Sequence, residues 1–170
     1  ISTSPPGAPP YEVMTVECAD EIAAAVAGTS AAADVVVMAA AVADFRPKAV
    51  AVEKLKKHDG VPEIILEPTP DILAELGERK DGQLLVGFAA ETEHLRERAA
   101  EKLARKRLDL MVANDVTASD AGFEVDTNRA ILLDSFGAAE EIPLLTKAAL
   151  ADLILDRVVA RLGTTTREHR

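Results

Sequence analysis

The chain has 170 residues, a length that suits one α/β domain with one core. Its 48% hydrophobic content excludes wholesale disorder. A formal net charge of −10, no Trp and one Tyr argue against DNA or RNA as a partner. The single cysteine, Cys18, rules out an internal disulfide and fits a reduced cytoplasm. No apolar run approaches the roughly 18 residues of a membrane span, and no signal peptide is recognisable.

Residues Ile1 to Pro10 are rich in Ser, Pro and Gly and read as a loop or linker, which implies that residues upstream belong to the intact protein. Tyr11 to Glu17 alternates in polarity and predicts a short strand. Asp20 then precedes Ile22 to Val26, a helix with an acidic first turn. Asp34 to Ala40 is a β-branched run that predicts a parallel strand buried on both faces, and Pro47 ends regular structure after it. Lys54 to Lys57 and Ile64 to Leu66 predict a charged hairpin turning at His58-Asp59-Gly60. Thr69 and Pro70 fit the N-cap and first position of a helix.

Leu84 to Ala90 predicts the next buried strand. Glu93 to Arg107 predicts a long helix with Leu95, Ala99 and Leu103 inward. Leu108 to Asn114 is a further strand. Gly122 to Val125 and Arg129 to Leu133 predict a second hairpin around Asp126-Thr127-Asn128. Thr146 to Leu162 is a closing helix, followed by a polar, flexible tail over 163–170. Strands and helices alternating in this way predict a Rossmann-like α/β fold: a mostly parallel sheet flanked by helices, with a β-hairpin flap. Ligands of such sheets bind at the carboxyl ends of the strands, here just after Ala40, Ala90 and Asn114.

The nine glycines are never closer than five residues apart, so neither G-x-G-x-x-G nor a Walker A loop is present. No H-E-x-x-H, C-x-x-C or histidine cluster points to zinc, and His58, His94 and His169 read as solvated. From Met38 the strand leaves into a turn of small residues before Asp44, which lets a ligand ring approach the backbone. Asp44 either caps that turn or accepts a ribose or base hydrogen bond, or helps hold Mg²⁺. Lys54 and Lys56 share one strand face, as edge protection or as a grip on phosphate. Lys102 and Lys106 share a helix face, paired with Glu97 and Glu101 or facing a phosphate. Phe88 packs either in the core or on a base.

Five segments carry a family likeness: Ala40-Ala41-Val42-Ala43-Asp44-Phe45-Arg46, Glu53-Lys54-Leu55-Lys56-Lys57, Pro70-Asp71-Ile72-Leu73, Val86 to Thr92, and Leu108 to Asp115. In this order and spacing they resemble bacterial phosphopantothenate–cysteine ligase, the synthetase half of the bifunctional coenzyme A biosynthesis protein. The resemblance runs from about Tyr11 to Arg161 and implies one partial ligase domain over 11–162. It implies activation of 4′-phosphopantothenate by CTP with Mg²⁺ as cofactor, through an acyl-cytidylate, then attack by cysteine. It places the cytidine nucleotide on Met38, Ala39, Ala40, Asp44, Lys54, Pro70, Asp71, Ile72, Leu73, Phe88, Lys102 and Lys106. Lys54 matches the lysine that serves activation, and Lys56 and Lys57 would begin a flap.

Two departures stand out. Thr69 replaces an Asn found in many relatives before Pro-Asp. The family's opening strand with its Gly-Gly-Thr loop, and its Asn-x-Ser-Ser-Gly segment, have no counterpart here. The resemblance implies a cytoplasmic homodimer with a decarboxylase domain upstream. The alternative is a catalytically silent nucleotide-binding or assembly fragment of that enzyme.

Overall fold

The computed structural model of the protein describes residues 11–49, 53–56, 60–91, 94–115 and 126–168. The chain divides into two compact units, the first made of Ile1–Thr29 and Ala41–Ile72, the second of Ser30–Ala40 and Leu73–Arg170.

In the first unit, α1 (Ala19–Thr29) carries Asp20 and Glu21 in its first turn, where negative charge meets the helix dipole. Glu21 reaches back to accept the Glu17 amide at 2.7 Å. The strand expected over Tyr11 to Glu17 does not form; Thr15 makes an isolated bridge. A two-stranded antiparallel ribbon joins β2 (Phe45–Pro47) to β3 (Leu66–Pro68). It corrects the expected hairpin. Pairing lies further out than Lys54, and Glu53 to Lys56 form no regular strand. The reason is side-chain chemistry: Arg46 and Glu67 stand opposite in the ribbon with Arg46 Nε donating to Glu67 Oε1 at 2.8 Å, whereas Lys54-Leu55-Lys56 has no apolar face to bury. Lys57, His58 and Asp59 lie outside the described residues.

The second unit is a five-stranded sheet in the order β1-β4-β5-β6-β7, made of β1 (Val35–Met38), β4 (Leu84–Glu91), β5 (Leu110–Asp115), β6 (Thr127–Asp134) and β7 (Ala139–Thr146). The first three strands are parallel and the last two antiparallel. Helices cover both faces, giving the expected Rossmann-like α/β architecture. Leu150, Ile154 and Val158 of α4 (Lys147–Glu168) pack on Leu84, Val86, Leu110, Val112 and Leu132. On the other face Leu73 of α2 (Ile72–Arg79), with Ala99 and Leu103 of α3 (Leu95–Arg105), packs on Leu85, Ala89, Met111 and Ala113. Strand alternation sends even positions of β4 and β5 to one layer and odd ones to the other.

Three further expectations change. β1 is an edge strand with Val37 44% exposed, not a strand buried on both faces. The second hairpin is β6–β7, closing over Ser135 to Ala138, and Asp126 to Asn128 lead into β6 rather than turn; residues 122–125 lie outside the described ones. The closing helix ends at Glu168 rather than at the expected Leu162. No helix among the described residues is long and apolar enough to cross a membrane.

Candidate functional site

The carboxyl ends of β1 and β4 lie side by side because Met38 pairs with Gly87. Gly87 is buried, and a Cβ there would meet Leu73 Cδ2 at 2.8 Å and Leu108 Cδ1 at 2.7 Å. The absence of a side chain lets α2 settle on the strand. Ala39, Ala40 and Ala90 are exposed beyond these strand ends, and Met38 and Phe88 are half-buried. Small side chains at an open strand edge leave backbone amides and carbonyls accessible to a flat ligand. Phe88 packs partly against the α4-side core.

Asp44 and Pro70 are also brought close. The Asp44 carbonyl accepts the Thr69 amide at 3.0 Å, and the Thr69 hydroxyl donates to the Ala43 carbonyl. Thr69 therefore ties two segments of the first unit together rather than capping the helix. α2 begins at Ile72, and neither Thr69 nor Pro70 belongs to it. Beside Asp44, Arg46 links the ribbon to α1 by donating to Glu67 and to Asp20. Its hydrogen bond to Glu67, then that to Asp20, hold the guanidinium's pKa above its ordinary value. Asp44 and Asp71 are exposed, whereas Ile72 and Leu73 are buried to 6% and 7% exposure. A ligand at Pro70 to Leu73 would therefore meet backbone, not those two side chains.

Lys54 is exposed and outside regular structure. Lys102 and Lys106 are half-buried on the second half of α3 and its cap, with the Lys106 amide donating to the Lys102 carbonyl at 3.0 Å. α3 packs on the opposite sheet face from Phe88, so the ring and these lysines do not share a face. The site residues divide between the units: Asp44, Lys54 and Pro70 to Ile72 in the first, Met38 to Ala40, Leu73, Phe88, Lys102 and Lys106 in the second. Among the described residues no group of three or more His, Cys, Asp or Glu is arranged to hold a metal.

Two asparagine side chains were not among the predicted site residues. Asn114, the last but one residue of β5, stands opposite Ala90 and Ala130, and Asn128 lies two residues before Ala130 on the same face as Phe88. Among the described residues, the Oδ1 atoms of both are buried without a hydrogen-bond partner. An unpaired buried acceptor costs about 1–3 kcal/mol, which makes both unusual in a folded chain. The one signal in the sequence was an asparagine closing an apolar run.

Residues 2–162 match the family described as the DNA/pantothenate metabolism flavoprotein C-terminal domain. The chain is 46% identical over 149 residues to the coenzyme A biosynthesis bifunctional protein CoaBC of Bacillus subtilis strain 168, covering 88% of this chain and 37% of that protein. It is 38% identical over 155 residues to a cysteine/cysteine sulfinic acid decarboxylase of an unknown prokaryotic organism, covering 91% and 43%. Among solved structures it is similar to the C-terminal domain of a CoaBC protein, with TM-score 0.73, 40% identity and coverage of 89% of this chain and 66% of that one. The chain thus spans about two-fifths of the length of these curated relatives.

Proposed function

The chain belongs to the family of DNA/pantothenate metabolism flavoprotein C-terminal domains, and from that membership we propose that it is the synthetase portion of a coenzyme A biosynthesis protein. Its reaction joins 4′-phosphopantothenate to cysteine. A carboxylate is a poor electrophile, so it first attacks the α-phosphorus of CTP and expels pyrophosphate. The amine of cysteine then attacks the acyl-cytidylate carbon, expelling CMP and losing a proton as the amide forms.

What carries this reading is the pairing of Met38 with Gly87, which sets Ala39 and Ala40 beside Phe88 at open strand ends in a chain of this family. Backbone near Ala40 and Pro70 to Leu73 would read the cytosine edge, with Phe88 against base or ribose. Lys102 and Lys106 would hold phosphate, and Lys54 would neutralise charge building on the α-phosphoryl during activation. Mg²⁺ fits as a counterion of the triphosphate, because Mg²⁺ commonly keeps its waters and takes one or two carboxylates plus substrate phosphates. Asp44 is one exposed carboxylate available for it. An upstream decarboxylase domain and a cytoplasmic homodimer complete the proposal. The exposed apolar residues Ile64, Ile65 and Leu66 in the first unit favour self-association.

Pyrophosphate release from CTP, dependent on phosphopantothenate and measured without cysteine, tests the activation half alone. Lys54→Gln is expected to slow it by roughly 100-fold or more while leaving the fold intact. Unaltered acyl-cytidylate formation in that variant would refute the role of Lys54. Equal rates with ATP and CTP would count against cytosine readout. A second reading is a nucleotide-binding or assembly module without turnover. Saturable CTP binding without pyrophosphate release would select it.

A further inference from the structure

Thr69 commits both of its donors to two successive carbonyls. Its amide donates to the Asp44 carbonyl at 3.0 Å, and its hydroxyl donates to the Ala43 carbonyl. The amide bond extends the ribbon by one step, since Phe45 is paired with Pro68 and Arg46 with Glu67. The hydroxyl bond is an addition that no strand ladder supplies. A carbonyl and the amide that follows it share one planar unit and point opposite ways. Holding the carbonyls of Ala43 and Asp44 therefore fixes the peptide planes on both sides of the Asp44 Cα. Those two planes set the direction in which the carboxylate leaves the chain. Thr69 is half-buried whereas Asp44 is exposed.

The same residue constrains the segment that follows it. A residue before proline is held extended, and the ring of Pro70 fixes its own φ. Ala43, Asp44, Thr69, Pro70 and Asp71 all lie in the first unit, so the arrangement is internal to it. The ribbon does not need the hydroxyl. It keeps the Arg46–Glu67 bond at 2.8 Å and the Lys48 amide on the Ile65 carbonyl at 2.9 Å. We propose that Thr69 is a positioning residue, whose hydroxyl sets Asp44 against the Pro70-Asp71 backbone and thereby selects a pyrimidine nucleotide. A purine is wider than a pyrimidine by one ring. A gap of fixed width rejects it, and a gap that breathes does not. The proposal rests on the CTP reading above and adds a residue that acts through Asp44 without touching the ligand.

The test uses the full-length protein and pyrophosphate release. Thr69→Val keeps the amide, the β-branch and the volume, and removes the hydroxyl alone. It is expected to raise the KM for CTP roughly fivefold, the loss of one hydrogen bond. Preference for CTP over ATP in kcat/KM should fall by a similar factor, while the KM for phosphopantothenate does not move. Thr69→Ala, a smaller variant without the hydroxyl, should behave alike. Thr69→Ser returns the donor and should restore the KM for CTP. A lowered thermal midpoint with unchanged KM for CTP and unchanged nucleotide preference would make Thr69 structural only. That result overturns the proposal and leaves the CTP reading standing. Equal rises in the KM for CTP and for phosphopantothenate also overturn it, as does a Ser variant no better than Val. If wild type binds CTP in calorimetric titration without releasing pyrophosphate, the Kd values for CTP and ATP decide in place of KM. A wild type that neither binds CTP nor releases pyrophosphate sinks the CTP reading and the proposal together.

Discussion

Asp134 opens the turn between β6 and β7, where it accepts the amides of Phe136 and Ala138 at 2.9 Å each and pairs with Arg161 at 2.9 Å. Burial opposes its ionisation, but the amides of Ala138 and Phe136 and the Arg161 guanidinium outweigh burial and hold its carboxyl below the usual carboxylate range. A folded-state pKa below the unfolded one contributes stability above about pH 4, which is lost as pH falls through the folded value. Asp134→Asn is therefore expected to lower the thermal midpoint at pH 7 by a few degrees, on the order of 1 kcal/mol. The gap to wild type should close in melts taken below about pH 4. A gap of constant size down to pH 2 would contradict the ionic account. Asn128 poses the opposite case. Its buried Oδ1 has no partner among the described residues, so the near-isosteric Asn128→Leu is expected to hold or raise the denaturation midpoint. A drop of several degrees would mean that the carboxamide is hydrogen-bonded in solution.

Among the elements, α2 and α3 depend on a glycine. A Cβ at Gly77 would stand 1.9 Å from the Lys106 carbonyl oxygen and 2.9 Å from its carbon. Both are backbone atoms at the end of α3, so no side-chain rotation relieves the clash. Gly77→Ala gains about 1 kcal/mol of helix propensity but forces the helices apart, at about 1–3 kcal/mol or more. Net destabilisation in urea titration is the expected outcome, and a more stable variant would show that α2 shifts freely. Asp109 makes a second junction. It accepts Lys80 Nζ at 2.6 Å and the Leu85 amide at 2.7 Å, and its own carbonyl accepts the Ser135 amide at 3.0 Å. These bonds sit at the amino ends of β4 and β5, away from the candidate ligand edge, and so serve the fold.

The elements also differ in how legible they were. β4 and β5 were readable because strands covered on both faces need continuous apolar runs, and Leu84 to Ala90 and Leu108 to Asn114 supply them. β7 was not. It carries Glu140, Glu141 and Pro143, which do not look like a strand. It is an edge strand, and pairing passes from Asn128–Leu145 to Ala130–Ile142 across an irregularity that leaves Pro143 and Leu144 outside the register. A residue without an amide proton is accommodated there at little cost. Glu140 accepts from Nε and Nη2 of Arg157 of α4 at 3.1 and 2.9 Å, a contact that local sequence does not announce.

For the molecule as a whole, ligand binding and stability are linked. If the chain binds CTP in its folded state, CTP at 100 times its Kd should stabilise it by about 2.7 kcal/mol. A thermal shift with CTP and a smaller one with ATP is the expected result; no shift with either would argue against a retained nucleotide site. Self-association has its own check. Sedimentation velocity should show a dimer that Ile64→Asp with Ile65→Asp weakens, and a wild-type monomer at all concentrations would exclude it.

The sequence by itself determined the class of fold, the two covered parallel strands and the family, because apolar periodicity and strand-end motifs are local properties of the chain. It also named Lys102 as a candidate ligand, but left it open to a solvated reading. Only the tertiary structure decided which residues stand together. Long-range pairing put Met38 beside Gly87 and tied Asp44 to Thr69, and it moved the ribbon out to Phe45–Pro47 and Leu66–Pro68. Packing of Ala99 and Leu103 into the core fixed which way α3 turns its charged residues. Charge on a helix can be read along the chain. Where it points depends on which face the core has already claimed.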